Sequence, residues 1–444
     1  MHTAARKLNM DIASLRGMLV ANELSLTELV HIIYAQAEAY HDYNIWIYLL
    51  PKEQVLKKAA ELEKVKDKNS LPLYGIPYGV KDNIDVAGIP TTAACREFTY
   101  IPTESAEAVE KIEKAGALLI GKTNLDQFAT GLVGTRSPYG IVKNSFNPEY
   151  ISGGSSSGSA VALALGMVSF SLGTDTAGSG RVPAGFNNLI GLKPTKKLIS
   201  TKGVVPACKS LDCVSIFALS CEDAHLVLDI AKEPSLENIL KEVKELPSSF
   251  TFGIPKKEQL NFSGNTEYES LYYKALEKLE KAGGKLAEFD LSPFLETAEL
   301  LYEGPWLAER LASIKDFFAS NADSLLKETK KIIEGGSNFS AVDTFLSLYK
   351  LDDLKDKAYK SIEGLDVLVV PTTPTIYTIE DIRKEPYTLN KNLGYYTNFV
   401  NLLDLCALAV PNGFTPNGLP MGITFIAHAH HDLKLAQLGK LFPR

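Results

Sequence analysis

Short apolar segments alternate with helical segments over the first 120 residues of this 444-residue chain. Ser25 and Glu28 have the spacing of a capping box, in which each side chain binds the other residue's backbone amide, and they predict a helix through about Ala39. Further strands are predicted at 44–50, 71–83 and 117–120, and further helices at 52–66 and 106–114. This alternation predicts an α/β fold with a central mixed, twisted β-sheet that helices cover on both faces.

The middle of the chain has a different composition. From about residue 222 to 365 it is strongly charged and helix-rich, and predicted strands return at 366–370 and 422–427. Separate domains are usually joined by exposed linkers rich in Pro, Gly or polar residues, and none marks the ends of this segment. We therefore predict one domain over 1–444, with a core at about 70–220 and a helix-rich insertion or subdomain at about 222–365.

Charge and cysteine content exclude several classes of protein. The chain has 53 acidic and 46 basic residues, a net charge of −7, whereas a general nucleic-acid binder needs a basic surface. No apolar run approaches the roughly 18 residues of a membrane span. Residues 1–17 lack the apolar core of a secretory signal. The five cysteines contain no C-x-x-C pair, which argues against a disulfide scaffold or a zinc site. We predict a cytoplasmic protein without metal, nucleic-acid or membrane partners.

Glycine, serine and threonine concentrate in two segments, 153–160 and 173–181. The first is not a phosphate loop, because Gly158 is followed by Ser159 where that motif requires lysine. It contains the G-x-S-x-G pattern of the nucleophile elbow, but the residues before it form a turn sequence and not the strand that the elbow requires. No histidine lies between residues 42 and 224. A serine in either segment would therefore need a base other than imidazole.

Lys81 is a candidate for that base, because it ends a predicted strand among apolar neighbours. Burial would lower the pKa of its ammonium group, since a low-dielectric environment penalises the charged form. The neutral amine could then activate the hydroxyl of Ser155 or Ser179, each flanked by glycine. Taken singly, such a lysine is more often a solvated surface charge, and such a segment more often an ordinary loop. The candidate oxyanion-hole amides are those of Thr176, Ala177, Gly178 and Ser179.

Three motifs, in this order and at these separations, resemble the amidase signature family. Residues 79–83 are similar to its lysine motif, and the two Gly/Ser segments are similar to the halves of its serine signature. The resemblance covers nearly the whole chain. It implies Ser179 as the nucleophile, Ser155 as a bridging serine after a cis peptide bond, Lys81 as the base, an acyl-enzyme intermediate and no cofactor. Ala177 departs from the family, in which many members have glycine.

Residues 91–95, 203–217 and 302–310 resemble the allophanate hydrolases within this family. Pro305 suits the first turn of a helix that we expect to run to Phe317, with Arg310 among its apolar positions. A buried guanidinium needs an anionic partner, either an internal carboxylate or a substrate carboxylate. The resemblance implies that Tyr302 and Arg310 bind the substrate carboxylate. Arg136 is a second candidate, whose alternative role is a salt bridge that braces its loop.

The resemblance implies hydrolysis of the terminal C–N bond of allophanate (urea-1-carboxylate), with release of ammonia, in urea degradation. It also implies a functional link to a biotin-dependent urea carboxylase and a homodimer. The further C-terminal domain of full-length allophanate hydrolases is expected to be absent. Three alternatives remain at this point: the glutamine amidase subunit of a tRNA-dependent amidotransferase, another amidase of small amides, and a catalytically silent binding protein on the same scaffold.

Overall fold

The computed structural model describes residues 8–240 and 248–444. Its centre is an eleven-stranded sheet, which is mixed because β2 is parallel to β3 and β4 while β4 is antiparallel to β6. The order across the sheet is β1-β3-β2-β4-β6-β5-β10-β11-β9-β7-β8. The strands are β1 (Trp46–Leu49), β2 (Pro77–Lys81), β3 (Leu118–Thr123), β4 (Phe170–Asp175), β5 (Ile190–Lys193), β6 (Cys213–Ala218), β7 (Phe250–Pro255), β8 (Gly284–Phe289), β9 (Val367–Pro371), β10 (Leu405–Phe414) and β11 (Pro420–His428).

Helices flank this sheet, which confirms the predicted α/β class with a mixed sheet. Within the described ranges, no helix is both long and apolar enough to cross a membrane. The α-helices are α1 (Ile12–Val20), α2 (Leu26–Ala39), α3 (Lys52–Glu63), α4 (Glu107–Lys114), α5 (Ser157–Ala164), α6 (Val182–Phe186), α7 (Cys221–Ala231), α8 (Thr266–Lys281), α9 (Ser292–Glu303), α10 (Trp306–Ser313), α11 (Lys315–Asn321), α12 (Lys327–Glu334), α13 (Ala341–Ser361), α14 (Ile379–Lys384), α15 (Thr388–Leu393), α16 (Phe399–Leu402) and α17 (Asp432–Gly439).

The N-terminal third follows its sequence pattern closely. The hydroxyl of Ser25 accepts the Glu28 amide, and the Glu28 carboxylate accepts the Ser25 amide, so the predicted capping box opens α2. The apolar positions Leu29, Val30 and Ile33 of this helix are fully buried. The predicted strands at 44–50, 71–83 and 117–120 correspond to β1, β2 and β3.

Two strands in the charged middle of the chain were not predicted. β7 and β8 pair in parallel over their whole length, and β7 also pairs with β9, so both strands belong to the main sheet. β8 lies at the sheet edge and exposes Lys285 and Glu288, as edge strands commonly do. β7 contains Gly253 and Pro255, which are rare in strands. Tertiary pairing therefore outweighs a weak local strand pattern.

The topology brings the lysine motif at 79–83 and the two Gly/Ser segments to the carboxyl ends of the neighbouring strands β2 and β4. β2 and β4 are neighbours and parallel, so their carboxyl ends lie at the same edge. Lys81 is the last residue of β2, and Asp175 is the last residue of β4. The first Gly/Ser segment leads into α5, which contacts both strands.

Candidate active site

Lys81 and Ser155 are in direct contact at this edge. The Lys81 side chain is fully buried, and its Nζ lies 2.8 Å from Oγ of Ser155. Nζ also donates to Oγ1 of Thr174, at 2.7 Å. The peptide bond between Gly154 and Ser155 is cis. Lys81 is therefore not a solvated surface charge, and two of the three predicted catalytic side chains form a hydrogen bond.

Burial lowers the pKa of Lys81 to about 7. Desolvation of the ammonium form is the largest cause, and the negative charges of Asp126, Asp212 and Asp175 oppose it. Above that pH the amine is mostly neutral. Its lone pair can then accept the proton of Ser155 while an N–H group donates to Thr174, as a general base requires.

Ser179 lies in the short connection between β4 and α6, where it is buried. Asp175 fixes this connection: its carboxylate accepts the Gly180 amide at 3.0 Å and two N–H groups of Arg181 at 2.9 Å each. Gly178 has a φ of 144°, and a Cβ there would lie 2.4 Å from Oγ1 of Thr397. The candidate nucleophile thus follows a residue that must be glycine, in a segment held by a buried ion pair.

Thr174 and Asp126 position the site, and the sequence patterns did not predict either. The Asp126 carboxylate accepts the amides of Val133, Gly134 and Arg136, at 2.9 to 3.1 Å. Its own amide donates to the carbonyl of Ser155 at 3.1 Å. A Cβ on Gly154 would lie 2.1 Å from Oδ2 of Asp126, so only glycine fits before Ser155. Asp126 is remote in sequence from the segment it supports, and no local pattern marks it.

Arg310 is buried beside Tyr302 and Thr130. Its side chain is 3% exposed, its Cζ lies 5.6 Å from the ring centre of Tyr302, and its Nη1 donates to Oγ1 of Thr130 at 3.2 Å. Nε has no hydrogen-bond partner. Within 8–240 and 248–444, no carboxylate forms an ion pair with this guanidinium. An internal salt bridge, the plainer of the two predicted roles, is thus not observed, and unused donors remain for an external anion.

The helix that carries Arg310 is shorter than predicted. α10 ends at Ser313, and Ile314, with φ −130° and ψ 24°, separates it from α11. The expectation of one helix running to Phe317 is therefore wrong, and Pro305 is the N-cap of α10. Ile314 is buried in an apolar cluster with Cys95 and Phe128. Tertiary packing at this residue therefore takes precedence over helix continuation.

Arg136, like Arg310, donates a hydrogen bond to Thr130. It is 3% exposed, and it donates to the carbonyls of Thr130 and Pro386, at 3.0 and 2.6 Å. Its loop is thus braced through carbonyls and not through the predicted salt bridge. Arg136 binds the carbonyl of Thr130, whereas Arg310 binds its hydroxyl. A role of Arg136 in substrate binding remains a prediction.

Comparisons with known proteins show which family this chain resembles. The family model described as Amidase matches residues 28–435. Urea amidolyase of Saccharomyces cerevisiae is 47% identical over 431 residues, which cover 95% of this chain and 23% of that protein. The solved structure of selenomethionine-substituted Kluyveromyces lactis allophanate hydrolase is 45% identical, with a TM-score of 0.85, over 94% of this chain and 72% of that one.

A more distant relative matches over most of its own length. A glutamyl-tRNA(Gln) amidotransferase subunit of Natranaerobius thermophilus is 32% identical over 94% of this chain and 91% of that protein. By contrast, the chain spans only 23% of the length of two urea amidolyases, those of Saccharomyces cerevisiae and Lachancea kluyveri. The family match covers most of the chain and includes every motif that forms the site. The chain belongs to the amidase family.

Proposed function

We propose that this chain is an allophanate hydrolase that cleaves the terminal C–N bond of allophanate and releases ammonia in urea degradation. The observation that carries the proposal is Arg310, a buried guanidinium that forms no ion pair with any carboxylate in the described part of the chain. Allophanate is a small amide with a carboxylate, which a guanidinium can bind through two parallel hydrogen bonds. The similarity to proteins named urea amidolyase and allophanate hydrolase supports this choice of substrate.

In the proposed acylation step, Oγ of Ser179 attacks the terminal carbonyl carbon. Its proton passes to Oγ of Ser155 as the Ser155 proton passes to the neutral amine of Lys81. The backbone amides of residues 176–179 stabilise the oxyanion. The C–N bond then breaks, Lys81 returns the proton through Ser155 to the leaving nitrogen, and ammonia departs from the acyl-enzyme.

Water completes the reaction in the proposed deacylation step. Lys81, acting through Ser155, removes a proton from water as the water oxygen attacks the acyl carbon, while Oγ of Ser179 is still bonded to that carbon. The bond to Oγ of Ser179 breaks, and the serine regains its proton through Ser155. The product, N-carboxycarbamate, carries a second carboxylate and decarboxylates. The two half-reactions therefore use the same base.

Arg310→Ala is expected to lower kcat/KM for allophanate by the equivalent of about 2–5 kcal/mol, the range for losing one partner of a buried charge pair. Biuret, which has a neutral carboxamide in place of the carboxylate, should be affected far less. Ammonia release from allophanate, biuret and glutamine by the purified chain measures this difference. Arg96→Ala is a matched control, because Arg96 also lies over a tyrosine ring, Tyr139, but is exposed at the surface.

The substrate panel also tests the alternative enzymes. A glutamine amidase subunit should release ammonia from glutamine, and another small-amide amidase should prefer a neutral amide. Wild-type protein that hydrolyses glutamine or biuret better than allophanate would contradict the proposed substrate. Equal losses on allophanate and biuret in Arg310→Ala would contradict the assignment of Arg310 to the carboxylate.

We also propose a homodimer in which the first half of α13 contacts a second copy. Val342, Phe345, Leu346 and Tyr349 follow the spacing of one helix face and are 57–67% exposed. Sedimentation of wild type and Phe345→Asp tests this contact, since a charge at its centre should shift the protein to monomer.

We further propose a cytoplasmic location and a functional link to a biotin-dependent urea carboxylase, which would supply allophanate.

A further inference from the structure

We propose that Asp212 is a positioning residue that connects α10, the helix carrying Arg310, to residues 176–179, which we call the oxyanion loop. Binding of a substrate carboxylate at Arg310 would thereby orient the backbone amides that stabilise the transition state. This inference rests on the proposed function, because it requires an anionic substrate. We therefore expect Asp212 to affect kcat, although it is neither the residue that binds the substrate carboxylate nor one of the catalytic side chains.

The first link joins Asp212 to the oxyanion loop. Asp212 is buried, and its Oδ1 accepts the hydroxyl of Thr176 at 2.5 Å. The same carboxylate accepts the amides of Ala207 at 2.9 Å and Cys208 at 3.2 Å. A buried carboxylate with three donors is strongly oriented, because charge-assisted hydrogen bonds are short and directional. Asp212 thus holds the oxyanion loop against the turn formed by residues 207–212.

The second link joins this turn to α10. Three groups of hydrogen bonds connect them: Sγ of Cys208 to the carbonyl of Trp306 at 3.4 Å, the amide and hydroxyl of Ser210 to the carboxylate of Glu309 at 2.8 and 2.7 Å, and the hydroxyl of Ser313 to the carbonyl of Ala207 at 3.4 Å. These bonds lie on both sides of Arg310 along the helix. A displacement of α10 would therefore move the turn, and with it Asp212.

Apolar packing accompanies the hydrogen bonds that join the oxyanion loop, the turn at 207–212 and α10. Ala177, in the oxyanion loop, belongs to a cluster that includes Cys208, Leu211 and Trp306. The methyl group of Ala177 thus places the oxyanion loop and Trp306 of α10 in the same apolar cluster.

Asp212 also affects the base, which gives a readout that a purely structural residue would lack. Burial raises the pKa of Asp212 to about 6, while the hydrogen bond from Thr176 and the charge of Arg310 lower it. When ionised, Asp212 raises the pKa of Lys81, together with Asp126 and Asp175. Loss of this charge should therefore make Lys81 easier to deprotonate.

A double-mutant cycle between Arg310→Ala and Asp212→Asn tests the coupling, with kcat for allophanate measured by ammonia release. Asp212→Asn should lower kcat about ten-fold or more in the wild-type background and much less in the Arg310→Ala background, because coupled residues are not additive. KM for allophanate should change less than kcat. Thr176→Val, which removes the hydroxyl and keeps the carboxylate, should reproduce the loss. Equal factors in both backgrounds would overturn the proposal.

The pH profile and a matched control separate the possible causes. Asp212→Asn should move the acid limb of kcat/KM to lower pH, and Thr176→Val should move it less, because the carboxylate is retained. Asp432→Asn is the matched control. Asp432 is a buried carboxylate that accepts the amide and hydroxyl of Thr195, and we expect no coupling between this variant and Arg310→Ala. An unmoved acid limb in Asp212→Asn, or equal coupling in the control, would refute the role of Asp212. Wild type that prefers biuret to allophanate would instead refute the proposed function.

Discussion

Ser179→Ala is expected to reduce ammonia release from allophanate by about 10⁴-fold or more, since a serine hydrolase without its nucleophile retains only the contribution of binding and the oxyanion hole. The loss should appear in kcat, because Ser179 forms a bond to the substrate only during the reaction. Initial rates at saturating allophanate, with circular dichroism to confirm the fold, provide the measurement.

Ser157→Ala is the matched control for this variant. Ser157 is another buried serine, in the first Gly/Ser segment, and its hydroxyl makes a long hydrogen bond, of 3.4 Å, to the carbonyl of Asn124. It opens α5 and has no part in the proposed proton transfer. We expect turnover close to that of wild type. Turnover near wild type in Ser179→Ala would show that another residue is the nucleophile.

Lys81→Met should lower kcat by about 10²–10⁴-fold, the contribution expected of a general base. Methionine has a similar length and fits an apolar site, but it cannot accept a proton. The folded state of Lys81→Met should remain stable, because the substitution removes a buried amine whose hydrogen bonds, among the described residues, are to Ser155 and Thr174. Ammonia release and thermal unfolding of the same preparation test both statements.

Lys122→Met provides the contrast. Lys122 is also fully buried, but its Nζ lies 3.2 Å from Oδ1 of Asp82 in an ion pair that is itself buried. Removal of one partner leaves an uncompensated carboxylate and should cost about 3–5 kcal/mol of folding free energy. Thus Lys122→Met should lose thermal stability, whereas Lys81→Met should lose activity. A Lys81→Met protein that turns over allophanate at the wild-type rate would exclude Lys81 as the base.

Lys81, Ser155 and Ser179 could be predicted as catalytic candidates because they lie in compact motifs. Lys81 and Ser155 are each marked by the residues next to them in sequence, and the structure places these two side chains in contact. Thr174 also lies in a motif, but nothing in its pattern distinguishes a lysine partner from an ordinary hydroxyl. Asp126 binds the carbonyl of Ser155 and Asp212 binds the hydroxyl of Thr176, and both contacts join residues that are distant in sequence, so they depend on the tertiary fold. Their roles could be recognised only from the structure.

The remaining differences come from competition between local and tertiary preferences. The apolar pattern around Arg310 favoured one continuous helix, but burial of Ile314 ends α10 early. The sequence also left open whether Arg310 has an internal carboxylate. That question concerns every carboxylate in the chain, so it could not be answered from the residues next to Arg310. The strands β7 and β8 depend in the same way on the partners that they find in the sheet.

The most direct test of the activation of Ser179 by an uncharged lysine is labelling with a fluorophosphonate. The labelling rate is measured between about pH 5 and pH 9, and peptide mapping then locates the adduct. Because burial lowers the pKa of Lys81 to about 7, the amine is protonated below that pH and cannot accept a proton. We expect the adduct on Ser179, at a rate that rises with pH and levels off above about 7, and little labelling of Lys81→Met. An adduct on Ser155, or a rate that does not change over this range, would contradict the mechanism.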